Sequence, residues 1–257
     1  MIDEIKDQSE SILAKFASLV ESAPEVVPPV EWVKCPYYHE LCTKKPERCQ
    51  ACIEVESELN REKTLAKLED DIFQLTPRRY NATDISHADF NVRLWEKVAA
   101  WNPTSDRPWL GLVGPTGKCK TRCAYLKLVD IAKAMVRKSG ETWWIAPSIK
   151  AITAYDFADA VKNQHFDNSE EKADAKEFLS HIKRVDILLI DDLGKCKNTE
   201  SLAGDLFALI DRRHEDNRRT IWTSNLTPEG IVAGMAENIG LPLAGRIREC
   251  STIFNVK

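Results

Sequence analysis

Short apolar segments alternate with segments of helical periodicity over most of the chain that follows residue 76. Runs of a few apolar residues predict buried strands, and apolar residues recurring every three or four positions predict helices. The pattern predicts strands at 109–113, 142–146, 185–190, 220–224 and 252–256, and helices at 120–137, over most of 147–183, at 201–214 and at 227–238. Such alternation is typical of a parallel sheet whose crossover helices cover both faces. We therefore predict an α/β fold.

Composition and charge exclude several other classes of protein. The 257 residues are 43% hydrophobic and 30% charged, which is a globular composition. A formal charge of -4 argues against a protein that coats nucleic acid by bulk charge. No apolar run approaches the roughly 20 residues of a membrane span, and Met1 to Glu10 is acidic without an apolar signal region. We expect a cytoplasmic protein with no membrane partner.

The loop after the first predicted strand carries a phosphate-binding pattern. Gly114, Lys120 and Thr121 stand at the offsets of a glycine, four residues and Gly-Lys-Thr. In such a loop, backbone amides and a helix amino terminus bind phosphate, the lysine reaches the β- and γ-phosphates, and the hydroxyl is offered to Mg²⁺. ATP and Mg²⁺ are the predicted ligands. The predicted binding residues are Gly114, Pro115, Thr116, Gly117, Lys118, Cys119, Lys120 and Thr121.

Cys119 departs from this pattern, because it stands where the second glycine is usual. If glycine is favoured there only for close approach to phosphate, a small Cβ is tolerated. If the position requires a left-handed backbone, cysteine costs about 1–2 kcal/mol. Because the helix begins at this point, we expect the first case.

Polar side chains follow two later predicted strands. Asp191 and Asp192 come directly after the apolar run that ends at Ile190, and Asn225 follows the strand at 220–224. In a parallel sheet such positions deliver functional groups at the carboxyl ends of strands. Asp191 is predicted to hold Mg²⁺, Asp192 to act as general base on a water molecule, and Asn225 to orient that water or contact the γ-phosphate. Solvated acids at a strand end and a turn asparagine are the alternatives.

Two arginines precede the last predicted strand. Arg246 and Arg248 are candidates for an arginine that is supplied to a neighbouring subunit, where it stabilises the charge that develops on phosphate. An ordinary position on a helix surface is the alternative for at least one of them.

Four segments together resemble the DnaC/IstB branch of AAA+ ATPases, which contains helicase loaders and transposition helpers. The segments read GPTGKCKT, ILLIDDLG, TIWTSNLTPEG and PLAGRIREC, and TPRRY at 76–80 resembles the segment that precedes the ATPase core in that family. The resemblance covers roughly residues 76–257. It implies an AAA+ ATPase domain, a parallel P-loop sheet, without a C-terminal lid, because the chain ends about a dozen residues after Arg246.

The resemblance also implies roles and partners. Asn225 corresponds to sensor I, and Arg246 to the arginine finger that acts between subunits of a homo-oligomer. The implied function is an ATPase that assembles on single-stranded DNA and loads a DnaB-type replicative helicase. Two alternatives remain: a transposition helper that assembles on duplex DNA, and a nucleotide-gated adaptor with little turnover.

The first 75 residues form a separate predicted region: a helix over 2–20, a cysteine module and a solvated linker helix over 53–75. Cys35, Cys42, Cys49 and Cys52 supply four thiolates for a tetrahedral Zn²⁺, and His39 is an alternative ligand. A module this small needs the metal to fold. It could contact either the helicase or DNA.

Basic residues between 147 and 184 fall where the family resembles initiators that line a groove for single strands. Acidic residues, Glu170, Glu171, Asp174 and Glu177, interrupt them. This mixture favours a solvated helical face over a DNA groove.

Overall fold

A five-stranded parallel sheet lies at the centre of the unit Leu59–Lys257. The computed structural model describes residues 50–165 and 169–256; the helix predicted over 2–20 and three of the four clustered cysteines lie outside these ranges. The strand order is β4-β5-β6-β1-β7, and each neighbouring pair is parallel. The strands of this sheet are β1 (Trp109–Val113), β4 (Ile149–Thr153), β5 (Ile187–Asp191), β6 (Arg219–Ser224) and β7 (Ser251–Asn255).

Helices cover both faces of the sheet, as the alternation of the sequence predicts. Ile187 and Leu189 of β5 belong to one buried cluster, and Leu188 and Ile190 belong to the other. The first cluster is completed by α1, α3 and α4, and the second by α5, α6, α7 and α9. The helices are α1 (Gln50–Leu75), α2 (Arg78–Asn81), α3 (Val92–Ala100), α4 (Lys120–Ala134), α5 (Ala154–Asn163), α6 (Ser169–Arg184), α7 (Glu200–Glu215), α8 (Pro228–Ile231) and α9 (Glu237–Cys250).

The structure differs from the sequence predictions in three places. The helix predicted at 227–238 is the short α8, and α9 begins only at Glu237. The strand predicted at 142–146 is β3 (Trp143–Ile145), which pairs antiparallel with β2 (Arg137–Ser139) in a hairpin outside the main sheet. The sheet instead takes β4 from the region predicted to be mostly helical. The reason is that β4 is an edge strand with only Ile152 fully buried, so its sequence lacks the apolar run of a central strand.

The carboxyl-terminal part of α1 packs on the sheet domain and is not a solvated linker. Leu68 and Ile72 are both buried in the cluster that contains β1 and α4. The charged residues around them conceal this, because a helix that buries only a narrow stripe keeps most of its surface polar. In the described ranges, no helix combines the length and the apolar character that a membrane span requires.

A buried cation, Arg213, joins elements around the sheet. Arg213 of α7 is fully buried and donates to the carbonyl oxygens of Ile182, Val185 and Arg219 and to the hydroxyl of Thr220. Burial lowers the pKa of its guanidinium to about 9. These bonds tie the end of α7 to the end of α6 and to the start of β6, because a buried cation must have its donors satisfied.

The central strand β6 and its neighbour β1 approach each other closely at Gly111. Gly111 of β1 lies opposite Trp222 of β6, and a Cβ added to it would lie 2.4 Å from the Trp222 ring. The buried indole, whose nitrogen donates to the Ser251 hydroxyl, therefore occupies the space that a side chain at Gly111 would need. The glycine is required here by packing rather than by backbone conformation.

We expect Gly111→Ala to lower the free energy of unfolding by about 1–3 kcal/mol, because the added methyl overpacks the core against a fixed indole. Gly204→Ala is the matched control: Gly204 lies within α7 with open space at its Cβ position, so alanine should be neutral or raise stability by up to about 1 kcal/mol. Urea unfolding of both variants measures the difference. Equal stability of the two variants would contradict this account of the packing.

Candidate active site

The carboxyl ends of three adjacent strands form one cleft. The loop 114–119 follows β1, Asp191 is the last residue of β5 with Asp192 directly after it, and Asn225 follows β6. Because β6 lies between β1 and β5 in the sheet, these groups meet although they are far apart in sequence. The cleft has a volume of about 350 Å³, within the range of small-molecule sites. Its lining residues are Arg79, Tyr80, Thr116, Gly117, Lys118, Cys119, Lys120, Thr121, Arg122, Asp191, Asp192, Lys195 and Asn225.

Lys120, the first residue of α4, connects the loop to the end of β6. Its Nζ lies 2.7 Å from the carbonyl oxygen of Gly114, 2.8 Å from that of Pro115 and 2.9 Å from Oδ1 of Asn225. Burial lowers the pKa of this amine, while the charges of Asp192 and Asp191 act in the opposite direction. All three bonded oxygens are uncharged, so phosphate oxygens could replace them with a gain in charge-assisted bonding.

Asp191 is a buried carboxylate held by two hydroxyl groups. Its Oδ1 accepts from Thr121 Oγ1 at 2.8 Å and from Thr223 Oγ1 at 2.6 Å. Neither donor carries a charge. A carboxylate beside a threonine hydroxyl is a set of hard oxygen donors, which Mg²⁺ prefers, usually with substrate phosphates completing its shell. The residues present therefore fit the predicted ion.

Asp192 is held in a strained position beside a lysine that the sequence analysis did not identify. Its φ is 60°, and its amide donates to Thr223 Oγ1 at 3.0 Å. Lys195 Nζ lies 2.7 Å from Oδ2 of Asp192, and this bond and charge raise the pKa of the lysine. The sequence signal for Lys195 was its place three residues after the second acid, in the turn that follows β5.

The backbone at Cys119 is left-handed, so our expectation for this residue is wrong. Its φ is 61° and its ψ is 17°, and the residue is the N-cap of α4. The position precedes the helix rather than beginning it, which is why the pattern favours glycine here. A Cβ in this conformation costs about 1–2 kcal/mol.

Gly114 also needs to be glycine, because its φ is +148° and a Cβ would lie 2.2 Å from the Val256 carbonyl oxygen.

An aromatic and cationic group forms one wall of the cleft. The Tyr80 and Tyr125 rings stack with centroids 5.7 Å apart. The guanidinium groups of Arg79 and Arg122 lie 4.6 Å and 5.6 Å from the centre of the Tyr80 ring. The segment 76–80 was identified because it resembles the segment that precedes the ATPase core in the similar family. The stacking of Tyr80 on Tyr125 could not be predicted from sequence, because Tyr125 lies in α4.

The two arginines near the chain end lie outside this cleft. Arg246 of α9 bonds Asp211 Oδ1 at 2.6 Å, and its guanidinium lies 4.7 Å from the centre of the Phe207 ring. Arg248 pairs with Glu229 at 2.9 Å. Neither residue reaches the phosphate loop of its own chain.

Of the four clustered cysteines, Cys52 lies in α1 and the others lie outside the described residues, so the zinc site stays a prediction.

Comparisons with known proteins agree with these motifs. A family model of the bacterial DnaA ATPase domain matches residues 128–239, which is less than half of the chain and includes Asp191, Asp192 and Asn225 but not Lys120. The structure of DnaI is 21% identical and has a TM-score of 0.52, with coverage of 72% of this chain and 96% of that one. No curated protein sequence matches this chain.

Two further structures are similar at lower TM-scores. The DnaC helicase loader is 20% identical over 70% of this chain and 100% of that one, with a TM-score of 0.48. DnaA from Aquifex aeolicus with bound AMPPCP is 17% identical over 71% of this chain, with a TM-score of 0.48. The chain spans about half the length of that DnaA structure. The family match and the DnaI fold confirm the resemblance to DnaC-like AAA+ ATPases.

We expect Cys119→Gly to be more stable than Cys119→Ala by about 1 kcal/mol. The penalty for a Cβ at positive φ, about 1–2 kcal/mol, exceeds the extra unfolded-state entropy of glycine, about 0.4–1 kcal/mol. Urea unfolding measures this difference, and ATP titration should show that the glycine variant binds at least as tightly as the wild type. Equal stability of the glycine and alanine variants would show that the left-handed backbone carries no penalty.

Proposed function

We propose that this chain, which has an AAA+-like fold and the motifs of that class, binds ATP with Mg²⁺ in the cleft and hydrolyses it. One observation supports this most strongly. Groups that follow three separate strands meet in one site. Lys120 donates to Asn225, and the neighbouring Thr121 donates to Asp191. A chance occurrence of the phosphate-loop pattern would not bring an acid and an amide from two other strands to the same place.

Phosphate binding follows from the loop and the helix behind it. The amides of the loop and the amino terminus of α4 present positive partial charge, and the Lys120 amine is held beside them. Thr121 and Asp191 would hold Mg²⁺. That ion, when bound, neutralises charge on the phosphates. Lys120 exchanges its bonds to neutral oxygens for bonds to phosphate oxygens when ATP binds.

Hydrolysis requires a base for the attacking water. We assign this role to Asp192, whose carboxylate accepts the proton of water while the new oxygen–phosphorus bond forms and the bond from the γ-phosphorus to the bridging oxygen breaks. Asn225, already bonded to Lys120 and 3.3 Å from the Thr116 hydroxyl, orients that water or the γ-phosphate. Lys195 forms an ion pair with the Asp192 carboxylate, so this pair must rearrange for Asp192 to accept a proton.

The arginine finger is proposed to come from a neighbouring subunit. Arg246 lies outside its own cleft and pairs with Asp211, so it can act only on another chain's nucleotide and only after that pair opens. An ion pair with this degree of exposure contributes little to stability, about 1 kcal/mol or less. The proposal therefore implies a homo-oligomer whose subunits complete one another's sites.

Helicase loading on single-stranded DNA is our proposed cellular role. The four motif segments support it through their resemblance to the DnaC/IstB branch, with a DnaB-type replicative helicase as the partner. Cys119 favours a second candidate, a nucleotide-gated adaptor with slow turnover, because its strained backbone lies in the loop that must hold the phosphates. Zinc bound by Cys35, Cys42, Cys49 and Cys52 remains part of the proposal for the amino-terminal region.

We expect Lys120→Ala and Asp192→Asn each to reduce ATP turnover by about 100-fold or more, because one removes charge stabilisation and the other removes the base. Steady-state phosphate release, with and without single-stranded DNA, is the measurement. Lys197→Ala is the matched control, since Lys197 is exposed and does not line the cleft. Tight ATP binding by the wild type without turnover in either condition would favour the adaptor. Turnover by Lys120→Ala at the wild-type rate would rule out this site.

We expect Arg246→Ala to be inactive alone but to regain turnover when mixed with Lys120→Ala. In the mixture, the intact Arg246 of a Lys120→Ala subunit can act on ATP that is bound by an Arg246→Ala subunit. Arg248→Ala should retain turnover without any mixing. A mixture as inactive as its two components would contradict action between subunits, provided that size-exclusion chromatography shows that the variants still associate.

A further inference from the structure

The hairpin of β2 and β3 presents an exposed aromatic and basic face. Arg137 lies opposite Ile145, and Ser139 lies opposite Trp143. Directly opposed residues of antiparallel strands point to the same side. We call these four residues the hairpin face. All four are exposed, and Trp143 at 68% is the most exposed of the large hydrophobic residues that the structure describes.

The opposite side of the hairpin is held against α1. The Arg61 guanidinium lies 5.5 Å from the centre of the Trp144 ring, and the Asn60 side-chain amide donates to the carbonyl oxygen of Thr142 at 3.0 Å. Trp144 alternates with Trp143 along β3, so fixing one tryptophan inward directs the other to solvent. The exposure of Trp143 is therefore a consequence of how the hairpin is anchored.

The charges on the hairpin favour an anionic ligand. Arg137 and Lys138 are exposed, and neither forms an ion pair with any residue in the described part of the chain. Glu141 is the one acidic residue between positions 137 and 145. The helices α5 and α6 differ in this respect, because their lysines alternate with acidic residues. The hairpin is thus the better candidate for contact with phosphates.

The size of the hairpin face argues against a protein partner. Its apolar part consists of Trp143 and Ile145, whereas a specific protein interface involves about 20–30 residues on each side. An exposed ring on the same face as a guanidinium instead matches the combination that binds single-stranded nucleic acid, in which bases stack on aromatic rings and cations contact the backbone. Ser139 is small, so the surface around the Trp143 ring is left open for a base.

We propose that the hairpin face binds single-stranded DNA, with a base stacked on Trp143 and a neighbouring phosphate contacted by Arg137. The inference deepens the proposed function, since it names the surface that contacts the DNA, but it does not depend on ATP hydrolysis. The hairpin follows the carboxyl end of α4, and Lys120 lies at the amino end of that helix. A helix of 15 residues is about 22 Å long, so the two sites are separate and can be tested independently.

The test is fluorescence anisotropy of a labelled oligo(dT) strand of about 20 nucleotides, titrated with the full chain. Trp143→Ala should raise the Kd by about 5-fold to 150-fold, the range for loss of one stacked base, and Trp143→Phe should retain most of the affinity. Arg137→Ala should weaken binding and lower the salt slope by about 0.7. Phe73→Ala is the matched control, because Phe73 is an aromatic residue of α1 with 54% exposure.

Several outcomes would overturn the inference. These are an unchanged Kd for Trp143→Ala, an equal loss for Phe73→Ala, or no binding of the strand by the wild type. Loss of helicase capture by Trp143→Ala with unchanged DNA binding would make the face a protein-docking surface instead. ATP turnover without DNA, measured on the same preparations, should be unchanged in Trp143→Ala, and this measurement separates failure of the hairpin inference from failure of the proposed ATPase.

Discussion

The parallel pairing of β6 with both β1 and β5 determines where every group of the cleft lies. This pairing brings the phosphate loop after β1, the two acids at the end of β5 and Asn225 after β6 to one edge of the sheet. Close approach of β6 and β1 depends on a glycine at position 111, where the Trp222 ring occupies the space of a side chain. Packing in the middle of the sheet thus determines how the groups of the cleft are arranged at its edge.

Buried cations are bonded mainly to neutral oxygens in this domain. Arg213 donates to three carbonyl groups and a hydroxyl, and Lys127 donates to the carbonyl oxygen of Ala99 at the end of α3. Lys120 is bonded in the same way, but its bonds face a cleft rather than a closed core. Arg213 and Lys127 are therefore structural cations. Lys120, bonded in the same way, is a cation that a phosphate group can reach.

Strain is concentrated in the same cleft. Cys119 and Asp192 are two of the three residues other than glycine with positive φ among those described, and both line the cleft. Such conformations persist only where the surroundings over-determine them. At Asp192 the amide bond to Thr223 and the ion pair with Lys195 supply that constraint. At Cys119 the loop and the start of α4 impose the conformation despite the cost of a Cβ.

The α/β class, four of the five sheet strands, the phosphate loop and the acids after β5 could be predicted from sequence, because apolar periodicity and motif spacing are local signals. The hairpin was mistaken for a sheet strand, and β4 for helix, because burial of a short segment depends on which neighbours pair with it. Lys195 beside Asp192, the Tyr80 stack and the outward Trp143 likewise depend on distant partners. The chemical groups that the protein carries could be identified from local sequence. Which of these groups meet depends on the tertiary structure, because contacts between separate strand ends and helices have no local signature.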